Sequence, residues 1–126
     1  MAEHSFTIPG RLPGLNEMIR SARGNKYAAA KEKKRSDDWC AWYAKQARLP
    51  AIKKPVLVSF IWMEPDARRD VDNIAAGAKF ILDALVHLGV LQNDSQKWVH
   101  GLSHVFGVTA LKPHIVVTLE EVDDVA

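Results

Sequence analysis

Residues 56–63, Val56-Leu57-Val58-Ser59-Phe60-Ile61-Trp62-Met63, decide the fold class. The run is almost wholly apolar and rich in β-branched and aromatic side chains, so it reads as a strand at the centre of a sheet. Before it, Lys26 to Arg48 reads as a helix. Ala28, Ala29 and Ala30 favour that state, Trp39, Trp42, Tyr43 and Ala47 are spaced to share an apolar side, and Pro50 and Pro55 close the segment. Earlier still, Ser5 to Ile8 reads as a short first strand ended by Pro9-Gly10. Gly10 to Gly24, with Pro13, Gly14 and Asn16, reads as an irregular loop of a length that is often functional. After the central strand come a polar turn, Asp66 to Asp72, and a second helix ending near Gly89, where glycine suits a left-handed cap. Lys97 to Phe106 and His114 to Val122 read as two further strands, split by a turn containing Pro113. The order β-loop-α-β-α-β-β predicts one α/β (α+β) domain over residues 1–126. Its single mixed sheet has about four strands packed with two main helices, and the acidic end, Glu121 to Ala126, frays.

Composition agrees with one globular domain: 126 residues, 48% hydrophobic and 25% charged, are enough for a single core and too apolar for global disorder. The lone cysteine, Cys40, excludes an internal disulfide framework and a multi-cysteine zinc site and reads as a packed thiol. No repeat or low-complexity tract is present, no apolar run approaches the ~18 residues of a membrane span, and the N-terminus lacks a basic-then-apolar signal layout. The expectation is a soluble cytoplasmic protein with no membrane partner. The net charge of +2 conceals an asymmetry: residues 1–69 hold 14 Lys and Arg against 7 Asp and Glu, and residues 70–126 hold 3 against 8. A basic half suits a polyanion and an acidic half suits a cation; two solvated faces of opposite sign are the plainer alternative.

The chemistry-bearing segment is Arg68-Arg69-Asp70-Val71-Asp72-Asn73. In extended backbone, residues two apart point the same way, so Asp70 and Asp72 can converge on a hard cation such as Mg²⁺, which takes oxygen ligands. At ~100° per helical residue, Lys79 and Asp83 fall close to the direction of Asp72. That gives a polar stripe on a cylinder otherwise formed by Ile74, Ala78, Ile81, Leu82, Leu85 and Leu88. The plainer alternatives are an ordinary i,i+4 pair for Lys79 and Asp83, a helix N-cap for Asp72 or Asn73, and a turn residue for Asp94. His100 and His104 are spaced like helical zinc ligands, but Trp98 to Phe106 alternates like a strand, which favours packing; His87 reads as a helix-end residue. Trp39, Trp42, Trp62 and Trp98 could stack bases, but packing or a dimer interface is the favoured reading.

Taken together, Arg69-Asp70-Val71-Asp72-Asn73-Ile74, then Lys79-Phe80-Ile81-Leu82-Asp83-Ala84-Leu85, then Gly89-Val90-Leu91-Gln92-Asn93-Asp94 and Trp98-Val99 resemble the RusA family of Holliday-junction resolvases. The likeness is strongest over roughly residues 68–106. It is weaker at the N-terminus, where Ile8-Pro9 and Asn16 stand for the family's strand, loop proline and asparagine. The resemblance implies a homodimeric endonuclease of DNA recombination and repair, in a prophage or phage setting. It would nick four-way junction DNA with Mg²⁺, for which Mn²⁺ can substitute. It also implies catalytic, metal-binding roles for Asp70, Asp72 and Asp94.

The family's helical lysine maps onto Lys79. In the best-known members that lysine follows the second aspartate more closely, where this chain has Ala76; Asn93-Asp94 stands where others carry paired aspartates. In this reading Lys79 contacts the scissile phosphate or orients water as a fixed positive charge. The DNA surface comprises Arg68, Arg69, Asn16, Arg20, Arg23, Lys26, Lys31, Lys33, Lys34 and Arg35, with Arg68 and Arg69 the leading members.

A straight helix over residues 73–88 would put its far end roughly 24 Å from Asp72. Asp94 lies only five residues beyond Gly89. Either the helix begins late, near Ala76, or Asp94 completes the site from the partner subunit. Two other readings stand beside the nuclease: a module of the same fold that holds branched DNA without cutting it, and an acidic half that binds protein.

Overall fold

The computed structural model describes residues 2–123. The chain runs β1 (Glu3–Pro9), α1 (Leu15–Gly24), α2 (Lys26–Gln46), β2 (Val56–Glu64), α3 (Val71–Ala75), α4 (Ala78–His87), β3 (Val99–Val108) and β4 (His114–Glu121). One mixed sheet, ordered β1-β4-β2-β3, carries the fold. β4 is antiparallel to both β1 and β2, while β2 and β3 are parallel. The α+β domain and the central place of the Val56–Met63 run are therefore as the sequence reads. Parallel pairing of β2 and β3 requires a crossover, which α3 and α4 supply.

Burial along β2 alternates with period two: Val56, Val58, Phe60, Trp62 and Glu64 are buried, whereas Leu57 and Ile61 are 37% and 39% exposed. The buried side meets Ile81, Leu85, Ile115, Val117, Leu119 and Ile8 in one core. At the β3 edge this side continues as an aromatic stack. The His104 ring lies 5.0 Å from Phe60 and 6.2 Å from Phe106, and the Trp62 indole N–H donates to His104 Nδ1 at 2.9 Å. His104 is thus a half-buried histidine packed in a stack on a strand, and burial pushes its pKa below the ordinary 6.5.

Three expectations change. First, the loop from Gly10 to Gly24 contains helix α1. Pro13 and Gly14 are the entry to a helix, not its absence: Gly14 is extended at the N-cap and its carbonyl accepts from Met18 N–H at 3.0 Å. Second, the helix after Asp72 is broken. Across Ala76 and Gly77 the bonds tighten to i→i+3, with Gly77 N–H on Ile74 O at 3.1 Å and Phe80 N–H on Gly77 O at 3.1 Å. A Cβ on Gly77 would lie 3.2 Å from Leu12 Cβ and 3.3 Å from the Trp62 ring, so glycine lets this turn press onto the core. Third, α2 buries Ser36, Cys40 and Ala44, an i, i+4, i+8 row, while Trp39 and Trp42 stand 43% and 59% exposed.

Other boundaries move by a few residues. Glu121 pairs within β4, and its N–H bonds Ala2 O at 2.9 Å, so the expected fraying of Glu121 to Ala126 does not begin there; residues 124–126 lie outside the described part. Gly89 takes the left-handed cap expected of it, at φ 77°, and Val90 N–H returns to Leu85 O at 3.0 Å. Cys40 is buried, and burial, aided by the charge of Asp37, pushes its thiol up to about 12, the chemistry of an inert packed group. Among the described residues no helix is long and apolar enough to cross a membrane.

Glu64, at the end of β2, is 5% exposed and is the one buried carboxylate among the described residues. Arg69 forks onto it, Nε to Oε1 at 2.9 Å and Nη2 to Oε2 at 3.0 Å, and the same guanidinium donates to Leu12 O at 3.1 Å. Arg11 adds a bond from Nη2 to Oε1 at 2.8 Å. Burial alone would raise the Glu64 pKa; the hydrogen bonds and charges of Arg69 and Arg11 outweigh it and hold the carboxyl below its usual value.

Two outcomes follow. Glu64→Gln removes the charge that both arginines face and is expected to cost about 3 kcal/mol in urea unfolding with an unchanged m-value, since orphaning one member of a buried pair costs ~3–5 kcal/mol. His104 binds its proton less readily folded than unfolded, so its share of stability is complete above about 6.5 and is lost as pH falls through and below that value. Melting temperatures measured from pH 7.5 down to pH 5 are expected to fall less steeply for His104→Gln than for the parent.

Candidate functional site

The break at Gly77 decides where Lys79 stands. As the second residue of α4, it lies at the end of that helix nearest the break. α4 is ten residues long, about 15 Å, and the Gly89 cap reverses the chain so that Val90 and Leu91 are buried on the way back. Ile52 N–H anchors the return by bonding Val90 O at 2.8 Å. Five residues past Gly89, Asp94 arrives beside Lys79 of its own chain, with Lys79 Nζ 3.1 Å from Asp94 Oδ2. The turn is held by Asn93, whose side-chain oxygen accepts from Ser95 N–H at 2.8 Å. The helix does not begin late, since α3 already starts at Val71 and is broken at Gly77; within its own chain Asp94 meets Lys79 and is not gathered with Asp70 and Asp72.

Lys79 also meets Asp83 Oδ1 at 2.8 Å. From there the charges alternate across the mouth between α4 and α2: Asp83 Oδ2 faces Lys33 Nζ at 3.5 Å, and Lys33 meets Asp37 Oδ2 at 2.7 Å. The other Asp37 oxygen is buried with no hydrogen-bond partner among the described residues. The ladder lines an open cavity of about 680 Å³, whose wall also includes Lys34, Asp38 and His87. The hydrogen bonds to Asp83 and then Asp94 hold the Lys79 pKa above its ordinary value, and Asp37 does the same for Lys33. Both amines are therefore firmly cationic at neutral pH. Lys79 is fitted to face an anion and not to take up a proton.

Asp70 and Asp72 lie elsewhere, outside the wall of this cavity. The sequence reading placed them on one extended segment. Asp70 is extended (φ −68°, ψ 152°), but the helix begins at Val71, so the two straddle a change of backbone state. Neither serves the fold as an N-cap in the ordinary way. Asp70 makes no side-chain cap bond, and Asp72 Oδ1 accepts only from the adjacent Asn73 N–H, at 2.9 Å. Both are exposed, and among the described residues neither forms an ion pair. Asp72 also leaves the stripe expected on the second helix, because the break sets α3 apart from α4; Lys79 and Asp83 keep their i,i+4 pairing. Asn16 reaches this region through its backbone: its N–H donates to Asn73 Oδ1 at 2.9 Å, tying α1 to the residue beside Asp72.

Among the described residues no group of three or more His, Cys, Asp or Glu side chains is arranged to hold a metal ion. Asp70, Asp72 and Asp94 thus do not form a ready Mg²⁺ or Mn²⁺ cage as they stand, and Asp94 already spends one oxygen on Lys79.

The basic residues divide into three kinds. Arg69, a leading member of the expected DNA surface, has a side chain only 13% exposed and fully engaged by Glu64 and Leu12, so it builds the fold around the Asp70 turn. Lys33 and Lys34 are exposed but paired to Asp37 and Asp38 four residues on. Arg68, Arg20, Arg23, Lys26, Lys31 and Arg35 project into solvent. Sequence reasoning missed Asp37 altogether and read Asp83 as part of the stripe, as an i,i+4 partner of Lys79 and as a motif residue, without linking it to α2. The Lys33/Asp37 and Lys34/Asp38 spacings were an available i,i+4 signal, whereas the approach of Lys33 to Asp83, fifty positions apart, was not.

No protein-family model matches the chain, and no curated protein matches it.

Proposed function

We propose that this protein is a structure-specific endodeoxyribonuclease that nicks four-way DNA junctions, acting as a homodimer. The observation that carries the reading is the meeting of Lys79 and Asp94 at 3.1 Å within one subunit. The pair was singled out from a sequence pattern resembling the RusA resolvases, and it stands at the rim of a cavity large enough for a sugar-phosphate segment. The surrounding chemistry supports it. A charged lysine held by two carboxylates is an oriented, permanently cationic donor, the kind of group that stabilises charge growing on a phosphate without reorganising. Lys33 and Lys34 stand on the same wall, each balanced by the aspartate four residues on, and Arg68 stands on the Asp70 side of the domain, its side chain 88% exposed.

A Mg²⁺ requirement rests on the resemblance alone. The protein's own contribution in this reading is to bind the phosphate backbone through Lys33, Lys34, Arg35 and Arg68, and to place Lys79 at the scissile group. Backbone contacts of this type give shape recognition and strong salt dependence without reading bases.

The test is a mobile four-way junction incubated with the protein and Mg²⁺, with Asp72→Asn alongside. Symmetric nicks from the parent, abolished by EDTA and reduced at least ~100-fold in Asp72→Asn, are the expected outcome. Tight, salt-sensitive junction binding without metal-dependent nicks would instead show a branched-DNA-binding module. Junction affinity indifferent to salt would discard both.

A further inference from the structure

The outer face of α2 carries a second, shallow groove whose aromatic lining the proposed nuclease site does not use. It encloses about 530 Å³ and is lined by Lys31, Lys34, Arg35, Asp38, Trp39, Trp42 and Tyr43. We propose that this groove is a stacking platform for an unpaired nucleobase of single-stranded DNA, with the flanking phosphates on Lys31, Lys34 and Arg35. The proposal rests on the nuclease reading only in taking DNA as the polyanion; the observations that carry it lie outside the Lys79–Asp94 pair.

The first observation is aromatic exposure on a helix whose core-facing row is complete without it. Ser36, Cys40 and Ala44 fill the buried side of α2, leaving Trp42 59% and Trp39 43% exposed. Two half-bare indoles side by side on a small domain are costly in water unless something covers them. The second observation is rigidity. The Trp39 indole N–H donates to Pro9 O at 2.8 Å, and its ring meets Tyr43 edge-on at 5.0 Å. Trp39 is therefore a fixed wall, and Trp42 is the accessible face beside it.

The third observation is charge. Three cations ring the aromatics against one carboxylate, Asp38, which Lys34 already neutralises at 2.9 Å. An apolar protein segment seated there would have to shield Lys31 and Arg35, whereas a nucleic acid strand supplies both a π-face for Trp42 and phosphates for the cations. The groove also adjoins the candidate site, because Lys34 and Asp38 line both cavities. A strand leaving the Lys79 cavity over Lys34 arrives at Trp42, where a base displaced from a junction arm would be held.

The test uses the full chain, a fluorescein-labelled dT12 oligonucleotide and an abasic chain of the same length and charge, followed by anisotropy at low salt. The platform predicts that dT12 binds more tightly than the abasic chain, that Trp42→Ala weakens dT12 by roughly 5- to 100-fold, and that Trp42→Phe recovers most of the loss, as expected for one lost base stack. It also predicts that Trp42→Ala leaves the abasic chain unaffected. Equal binding of dT12 and the abasic chain by the parent, a comparison that needs no variant, overturns the proposal. So does a Trp42→Ala variant that binds dT12 like the parent, or one that changes only self-association in sedimentation velocity, which would assign the groove to a second copy. Junction nicking with Trp42-independent dT12 binding defeats the platform and spares the nuclease. Trp42-dependent dT12 binding without nicking does the reverse.

Discussion

The structure turns on one buried carboxylate. Glu64 ends the central strand on its core side, where an unpaired charge would be intolerable, and two guanidinium groups from different loops close on it. Arg11 brings the segment after β1, Arg69 brings the turn after β2, and the Arg69 fork reaches on to Leu12 O. The Glu64 carbonyl meanwhile accepts from Thr109 N–H at 2.9 Å, fastening the end of β3. Four chain segments thus meet at one residue. Asp70 follows Arg69 directly, so the aspartate pair that resembles a nuclease motif hangs from this junction. The arginine next to it is spent on architecture and not on a ligand.

A second constraint is steric. Leu12 and the Trp62 ring press so closely on residue 77 that only glycine fits without displacement, and the helix tightens there. That turn separates α3, with Asp72, from α4, with Lys79. Asp94 reaches Lys79 within one subunit because α4 itself is only ten residues long and the Gly89 cap turns the chain back along it. The alternating row Asp94, Lys79, Asp83, Lys33, Asp37 then couples α4 to α2 through pairs of modest individual worth, since all are partly open to solvent. Their value lies in direction: they hold Lys79 charged and aimed along the cavity rim.

Much of the fold was legible because apolar period and punctuation agree. The Val56–Met63 run, the alanine-rich start of α2, the Gly89 cap and the strand around His104 each carried a local signal that tertiary packing reinforced. The misses have physical causes. Pro13-Gly14-Asn16 marks a helix entrance with the same residues that mark a loop; α1 does carry an apolar side, Leu15, Met18, Ile19 and Ala22 at helical spacing, but it is short and none of its residues is fully buried, so the turn residues before it outweighed that signal. Ala76-Gly77-Ala78 keeps the helical period of Ile74 and Ile81, and the close packing of Gly77 on Leu12 and Trp62, where the break falls, involves residues far away in sequence. In the candidate site, the Lys79/Asp83 pair was readable as i,i+4; Lys79 and Asp94 were each marked by the motif, but their ion pair was not foreseen. The roles of Glu64, Asp37 and Arg69 required knowing which loops converge. The exposure of Trp39 and Trp42 likewise depended on which row of α2 met the core.

The claim at the centre of this account is that the group meeting Asp94 on α4 serves chemistry and not merely surface pairing. Single-turnover nicking of a four-way junction by Lys79→Ala, at saturating enzyme and with Mg²⁺, measures it most directly. The account predicts a rate at least ~100-fold below the parent, the scale of losing one charge-stabilising donor, with junction affinity within a few-fold. Parent-like nicking by Lys79→Ala, or no nicking by the parent, would contradict it.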